Sequence, residues 1–131
     1  MRAARVRFAG RRAVSPEAFE AHCQSLPAVT LTIQWGGTSV FKVGGKIFAL
    51  ANGLVERRAS GFMFKASDMA YELLIEQGLA APAPYLARAK WVQLTDNDAL
   101  PDTELAAYLD QAHALIAAKL TRAVRKDLGL A

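Results

Sequence analysis

The 131-residue sequence has few of the residues that build metal centres and cross-links. It contains one cysteine, Cys23, and two histidines, His22 and His113. A single cysteine cannot form an internal disulfide, which is typical of a reducing compartment, so we expect a cytoplasmic protein. Zinc and iron–sulfur sites need several such ligands at close spacing, and the two histidines lie on different predicted helices. We therefore expect neither a metal nor a cofactor.

Long apolar segments are also missing. No stretch approaches the ~18 to 20 consecutive apolar residues of a membrane helix, and the N-terminal segment lacks the apolar middle region of a secretory signal. At 53% hydrophobic and 21% charged residues, the composition is typical of a soluble globular protein. This length suffices for one hydrophobic core, so we expect a single domain.

Acidic residues are absent from residues 1–14, which hold five arginines and a local charge of +5. The remaining residues have 11 basic against 12 acidic side chains, a charge of −1. The pI near 9.5 is therefore weak evidence for a nucleic-acid partner. We expect residues 1–14 to be a disordered basic tail, or to reflect a start codon assigned too far upstream, and residues 15–129 to form the domain. Such a tail can add sequence-independent phosphate affinity.

A short helix is predicted at the start of this domain. The run Ser15–Glu17 combines a capping serine, a proline that tolerates the first helical position and an early acid. Apolar residues recur at helical spacing from Phe19 to Leu26, and Pro27 prevents the helix from continuing.

Glycine pairs divide the next region into three β-rich runs, Thr30–Trp35, Val40–Val43 and Lys46–Ala51. Gly44-Gly45 suits a two-residue type I′ turn. The predicted cross-strand pairs are Val43 with Lys46, Lys42 with Ile47, and Phe41 with Phe48. The predicted buried face holds Phe41, Val43, Phe48 and Leu50. Lys42 then points to the other face and Lys46 sits at the hairpin tip.

Asn52-Gly53 is a second turn signal, but strict pairing through it would place Arg57 on the buried face. A bulge or a longer loop is therefore needed. The favoured version puts residues 52–61 in a protruding connection that carries Arg57 and Arg58, with Phe62–Ala66 as the returning strand.

The C-terminal half is predicted to hold two helices and one or two more strands. Ser67-Asp68 starts a helix that ends near Gln77. Prolines make Leu79–Arg88 an extended connection to a strand at Lys90–Leu94. A long helix starts near Asp102, and its apolar stripe is Leu105, Leu109, Ala112, Ile116 and Leu120. Cations toward its end complement the helix dipole, and these are Lys119, Arg122, Arg125 and Lys126.

The predicted fold class follows from this order, α-β-β-β-β-α-β-α. Strands joined by hairpins form an antiparallel sheet, and helices must cover its apolar face. We expect a two-layer α+β domain with the helices on one face.

Catalytic chemistry has little support in the sequence. Cys23 lies on the apolar stripe of its helix, where an inert buried thiol is the common case. Four carboxylates are clustered as a cation site would require, and they are Asp96, Asp98, Asp102 and Glu104. Turn and helix-cap roles account for them more simply. Trp35 and Trp91 are candidate stacking platforms for bases if their rings are exposed. We expect a protein that is not an enzyme.

Several segments occur in the order and spacing of one protein family. They are Leu26–Val29, Trp35-Gly36, Phe41–Ala49, Phe64-Lys65, Lys90–Val92 and Leu100–Leu105. In these segments the chain resembles the MmcQ/YjbR family over roughly residues 15–120. The resemblance implies a double-wing DNA-binding fold without enzymatic activity. Gly37 stands where members often have histidine, and Ala112-His113 replaces a frequent Ser-Tyr pair.

Under the wing mechanism that the resemblance implies, basic hairpin residues contact phosphates. The candidate phosphate contacts are Lys42, Lys46, Arg57, Arg58, Lys65 and Lys90. Arg57 and Arg58 are also the candidate base readers, because arginine can engage guanine with two hydrogen bonds.

Three functions remain open at this point. The first is weak, salt-dependent DNA binding. The second is a protein-interaction or chaperone-like module that uses the sheet face or an edge strand. The third is small-molecule binding, which needs a deep apolar pocket.

Overall fold

The fold is an open antiparallel sheet with helices, as given by a computed structural model that describes residues 16–34, 37–51, 61–84, 86–96 and 98–130. Its elements are α1 (Pro16–Ser25), β1 (Val29–Gln34), β2 (Thr38–Val43), β3 (Lys46–Ala51), β4 (Met63–Lys65), α2 (Asp68–Glu76), β5 (Ala80–Pro82), a 3₁₀ turn (Ala87–Ala89), β6 (Trp91–Leu94), α3 (Asp102–Ala117) and α4 (Arg122–Asp127). The strands lie in the order β1-β2-β3-β4-β6-β5, and each neighbouring pair is antiparallel. The predicted α+β class is confirmed. None of the described helices has both the length and the apolar composition to cross a membrane.

Two segments differ from the prediction. The segment Ala80–Pro82, expected to be an extended connection, pairs with β6 as an edge strand. An edge position tolerates Pro82, which has no backbone N–H to donate. The predicted single C-terminal helix is wrong, because α3 ends at Ala117 and α4 begins at Arg122. Thr121 causes the break, since its hydroxyl accepts a hydrogen bond from the Val124 amide at 3.1 Å and caps the second helix.

The first hairpin is partly as predicted. Val43 pairs with Lys46 and Lys42 pairs with Ile47 across the Gly44-Gly45 turn, as expected. The predicted pairing of Phe41 with Phe48 is wrong, because Phe41 lies opposite Ala49. The register shift leaves an extra residue in β3, which is a β-bulge. As a result Leu50 joins Val40 on the other face of the sheet rather than the main core.

The bulge does not remove either phenylalanine from the core. Phe41 and Phe48 are both fully buried, and their ring centroids lie 6.5 Å apart. On the same face α1 contributes Phe19, which stacks on Phe62 at a centroid distance of 4.3 Å. Aromatic pairs at such distances add to the free energy gained from burial alone.

The connection between β3 and β4 agrees with the favoured prediction, in which the strand returns after residue 61 rather than directly after Asn52-Gly53. Ala49 pairs with Phe64, and Leu50 pairs with Met63, so the strand returns at residues 63–65. Strict pairing through Asn52-Gly53 is therefore wrong. Residues 52–60, with Arg57 and Arg58, lie outside the described residues.

The Gly44-Gly45 turn marks one end of the sheet, called here the hairpin end. The register places the start of β1, β3 and β6 and the end of β2, β4 and β5 at this end. The helix α3 runs toward it, because the His113 Nε2 atom lies 2.8 Å from the Pro27 carbonyl oxygen. A Cβ atom at Gly44 would lie 2.6 Å from Leu120 Cδ1, which shows how closely the turn contacts the residue after α3.

We expect Gly44→Ala to destabilise the fold more than Gly45→Ala. Both glycines have positive φ, +60° and +83°, so alanine is strained at either position by about 1–2 kcal/mol. Only at Gly44 would the new methyl group also displace the end of the Leu120 side chain, which adds a further cost. Urea unfolding measures both values.

Gly45→Ala is the matched control, since nothing lies within 4 Å of its added Cβ. Adding Leu120→Ala should make the Gly44→Ala change less costly, as a double-mutant cycle would show. Equal losses for the two glycine variants would contradict the proposed close contact.

Candidate nucleic-acid interface

Four of the six candidate phosphate contacts lie among the described residues. These are Lys42, Lys46, Lys65 and Lys90, and all four lie in or beside a strand near the hairpin end. Arg57, Arg58 and Trp35 lie outside the described residues. The structure therefore positions the four lysines and leaves the two arginines as predictions.

Lys42 and Lys46 belong to the first hairpin. Lys46 directly follows the turn and is exposed. Lys42 pairs with Thr30 and Ile47 and is half-buried. Because side chains alternate along a strand and Phe41 faces the core, Lys42 points to the sheet face away from α1 and α3. Both lysines thus reach solvent from the predicted wing.

Lys65, Lys90 and Lys119 form a cationic cluster. The Lys65 ammonium donates a hydrogen bond to the Ala89 carbonyl, and the Lys90 Nζ atom lies 4.8 Å from the centroid of the Tyr71 ring. Burial lowers the pKa of Lys65, and the positive charges of Lys119 and Lys90 lower it further, against the carboxylate of Asp68. The cluster is thus a place where an added anion would be stabilised.

Sequence reasoning missed Lys119 as a member of this cluster. Its position near the end of a helix was interpreted as a complement to the helix dipole. Its charge acts on Lys65, which is 54 positions earlier in the chain, because α3 and β4 both end at the same end of the molecule. No local pattern in the sequence carries that information.

The charges of the body are separated along the sheet. The described part of the chain has nine lysine and arginine residues. All lie at the hairpin end or on α4 beyond it, and they are Lys42, Lys46, Lys65, Arg88, Lys90, Lys119, Arg122, Arg125 and Lys126. Six carboxylates lie at the opposite end of the sheet and of the helices that cover it. They are Glu17, Glu76, Asp96, Asp98, Asp102 and Glu104. The body is nearly neutral in net charge, but its positive charges are concentrated toward one end of the sheet.

Among the described residues no carboxylate forms an ion pair within 4 Å with a cation of the hairpin end. Among the described residues the one ion pair within 4 Å joins His22 Nε2 to Asp110 Oδ1, at 2.8 Å. The carboxylates at the hairpin end itself are Asp68 and, on α4, Asp127. The positive charges are thus available to a partner.

Trp91 does not meet the requirement for a stacking platform. Only 5% of the residue is exposed, and it packs with Val40, Leu50 and Ala83 in a small apolar cluster on the second face of the sheet. Base stacking needs an open ring face. The interpretation of Trp91 as a stacking residue is therefore wrong, and the tryptophan is a packing residue.

The candidate catalytic groups are engaged in structural contacts. Cys23 is fully buried, while His22 pairs with Asp110. His113 contacts the Pro27 carbonyl and lies edge-on to Phe48 at a centroid distance of 5.4 Å. Within the described ranges no group of three or more His, Cys, Asp or Glu residues could hold a metal ion.

The acidic cluster has the expected turn chemistry at Asp96 and Asp98, but the expected side-chain cap is wrong, because the cap residue of α3 is Pro101 and Asp102 and Glu104 lie in the first helical turn. Asp96 Oδ1 accepts a hydrogen bond from the Asp98 amide at 3.1 Å, which forms an Asx turn. The side-chain hydrogen bond with Asp98, together with burial, raises the pKa of Asp96.

A groove of about 320 Å³ lies between α1 and α3. It is lined by Phe19, His22, Asp102, Leu105 and Leu109, among others, and it is open to solvent. Phe19, Leu105 and Leu109 are almost fully buried in the core, so the groove is a seam between packed helices rather than a deep pocket.

Comparison with known proteins gives a family and a fold. The family model described as YjbR matches residues 24–115. A crystal structure of a Deinococcus radiodurans protein with the family domain DUF419 is similar, with 26% sequence identity and a TM-score of 0.74. That likeness covers 90% of this chain and 93% of the other. A search of curated proteins found no match.

We expect the Cys23 thiol to be unreactive in the folded protein. Burial raises its pKa, and the carboxylates of Glu20 and Asp110 raise it further, so the group is a neutral thiol at pH 8. Because the thiolate is the nucleophile, a disulfide reagent should label Cys23 only when the protein opens. Absorbance of the released thiol measures the rate with and without denaturant.

The matched control moves the thiol by one position, in the variant Cys23→Ala with Gln24→Cys. Residue 24 is exposed, so this thiol should react at the rate of a free cysteine. Rapid labelling of native Cys23 would contradict the buried, neutral state.

Proposed function

Because the chain belongs to the YjbR family, we propose that it is a non-enzymatic DNA-binding protein whose hairpin-end cations contact phosphates. The observation that carries the proposal is the concentration of all nine described lysines and arginines at or beyond one end of the sheet. Unpaired cations gathered on one side are the electrostatic footprint of a nucleic-acid binder.

Lysines dominate this surface, which favours contacts with the phosphate backbone. An ammonium group is a compact charge that neutralises a phosphate and releases its counterions. Such contacts position a protein on the duplex without reading its sequence. Base reading by Arg57 and Arg58 is not part of this proposal, because the strand ends that flank residues 52–60, at Ala51 and Met63, lie at the other end of the sheet.

The first hairpin is a rigid element for such contacts. Its turn packs against Leu120, and β2 is hydrogen-bonded between β1 and β3. Lys46 is thus presented from a fixed tip, and little conformational entropy of the backbone is lost on binding.

The alternative functions have smaller features to support them. A small-molecule role has the open groove between α1 and α3. A protein-interaction role has Met69 and Leu73, which are 79% and 41% exposed and lie one turn apart on α2. Neither feature gathers contributions from as many elements as the hairpin end does.

We expect binding to duplex DNA to weaken steeply with salt. If the four described lysine candidates each neutralise one phosphate, affinity should fall roughly 100-fold between about 50 and 200 mM salt, since the log–log slope is about −0.9 per contact. The double variant Lys42→Gln with Lys46→Gln should reduce the slope by up to ~1.8. Fluorescence anisotropy of a labelled duplex measures both effects.

The matched control lowers the net charge equally, by Ala107→Glu with Gln111→Glu on an exposed stretch of α3. These sites lie away from the hairpin end, so screening should leave the slope nearly unchanged. Replacing the five arginines of residues 1–14 by glutamine separates the contribution of this segment. Absence of a complex at low salt would refute DNA binding.

A further inference from the structure

The helix α4 carries cations that lie beyond the family match. The matched range ends at residue 115, whereas α4 spans Arg122–Asp127. Its three basic residues, Arg122, Arg125 and Lys126, were expected to complement the dipole of one long helix. The break at Thr121 places Arg125 and Lys126 in the last turn of α4, where they complement its dipole, and Arg122 in its first turn, where the dipole does not account for a cation.

The three cations share one face of α4. Residues three and four positions apart in a helix are neighbours on its surface, and Arg125 and Lys126 stand at these distances from Arg122. Val124, on the opposite side of the helical turn, packs against the main core. The inward position of Val124 directs the basic face away from the body.

The basic face of α4 continues the hairpin end. Leu120, which contacts Gly44, is two residues before Arg122 in the chain. Between α3 and Leu120 lies Lys119, whose charge acts on Lys65 in the cationic cluster. The tip of the hairpin, the cluster and α4 are therefore consecutive parts of one positive surface.

We propose that α4 is a second phosphate-contacting element, so that duplex DNA lies across both the hairpin tip and the outer face of α4. This inference rests on the proposed DNA-binding function and extends its site to Lys119, Arg122, Arg125 and Lys126. Arginine suits this place because its planar guanidinium donates two parallel hydrogen bonds to one phosphate.

The test compares four full-length proteins by anisotropy with a labelled duplex of mixed sequence, over a range of salt concentrations. They are the unmodified chain, the triple variant R122Q/R125Q/K126Q, the conservative variant R122K/R125K, and the charge-matched control A21E/A107E/Q111E. The control lowers the net charge by three, like the triple variant, at exposed positions on α1 and α3. Thermal unfolding checks that each protein is folded.

The expected result is a salt slope smaller by up to ~2.7 in the triple variant, since three phosphate contacts are lost. The conservative variant should keep the slope, because both charges remain, and the control should keep it because its changes lie elsewhere. The unmodified chain should bind duplexes of unrelated sequence with similar affinity. The triple variant should bind all of them more weakly by a similar factor, since backbone contacts do not read bases.

Two results would overturn the inference in distinguishable ways. If the unmodified chain binds and the triple variant has the same slope, or loses no more than the control, α4 makes no phosphate contact and the proposed function stands. If the unmodified chain does not bind duplex DNA at low salt, the proposed function fails, and the inference about α4 fails with it.

Discussion

The contact between the Gly44-Gly45 turn and Leu120 is the constraint on which the arrangement of the hairpin end depends. Gly44 has a positive φ, and the end of the Leu120 side chain fills the space that a Cβ atom would take, so the first hairpin and the residue after α3 lie in contact. The hairpin brings Lys46 to this contact, and the chain after α3 brings Lys119 and then α4. One close approach of backbone to side chain thus joins the sheet and the C-terminal helices into a single surface.

Local signals predicted most of the elements, and long-range contacts decided the rest. The Gly44-Gly45 turn and the cap at Ser67, whose hydroxyl accepts from the Ala70 amide at 3.1 Å, depend on neighbouring residues and could be predicted. The bulge near Phe48 could not, because no glycine or turn residue marks it and it appears only in the pairing of β2 with β3. The break at Thr121 was not predicted, because the apolar stripe that continues to Leu120 indicates one long helix.

The candidate site was predictable in its residue types but not in its extent. The basic residues of the hairpins are visible in the sequence, and four of them lie at one end of the sheet. Lys119 joins them only through the tertiary structure, and Trp91 leaves the list because the segment with Ala83 and Leu86 packs beside it. Exposure and spatial proximity, the two properties that a binding surface requires, are set by packing between distant segments.

Net charge is therefore the wrong quantity for judging this protein as a nucleic-acid binder. The body after residue 14 has a charge of −1, yet its described lysines and arginines lie at or beyond the hairpin end, while six of its described carboxylates lie at the other end. A polyanion approaching such a body is attracted at the hairpin end and repelled at the other, so the separation orients the encounter as well as stabilising it. The pI near 9.5 also counts the five arginines of residues 1–14, so the pI by itself does not describe the charge of the hairpin end.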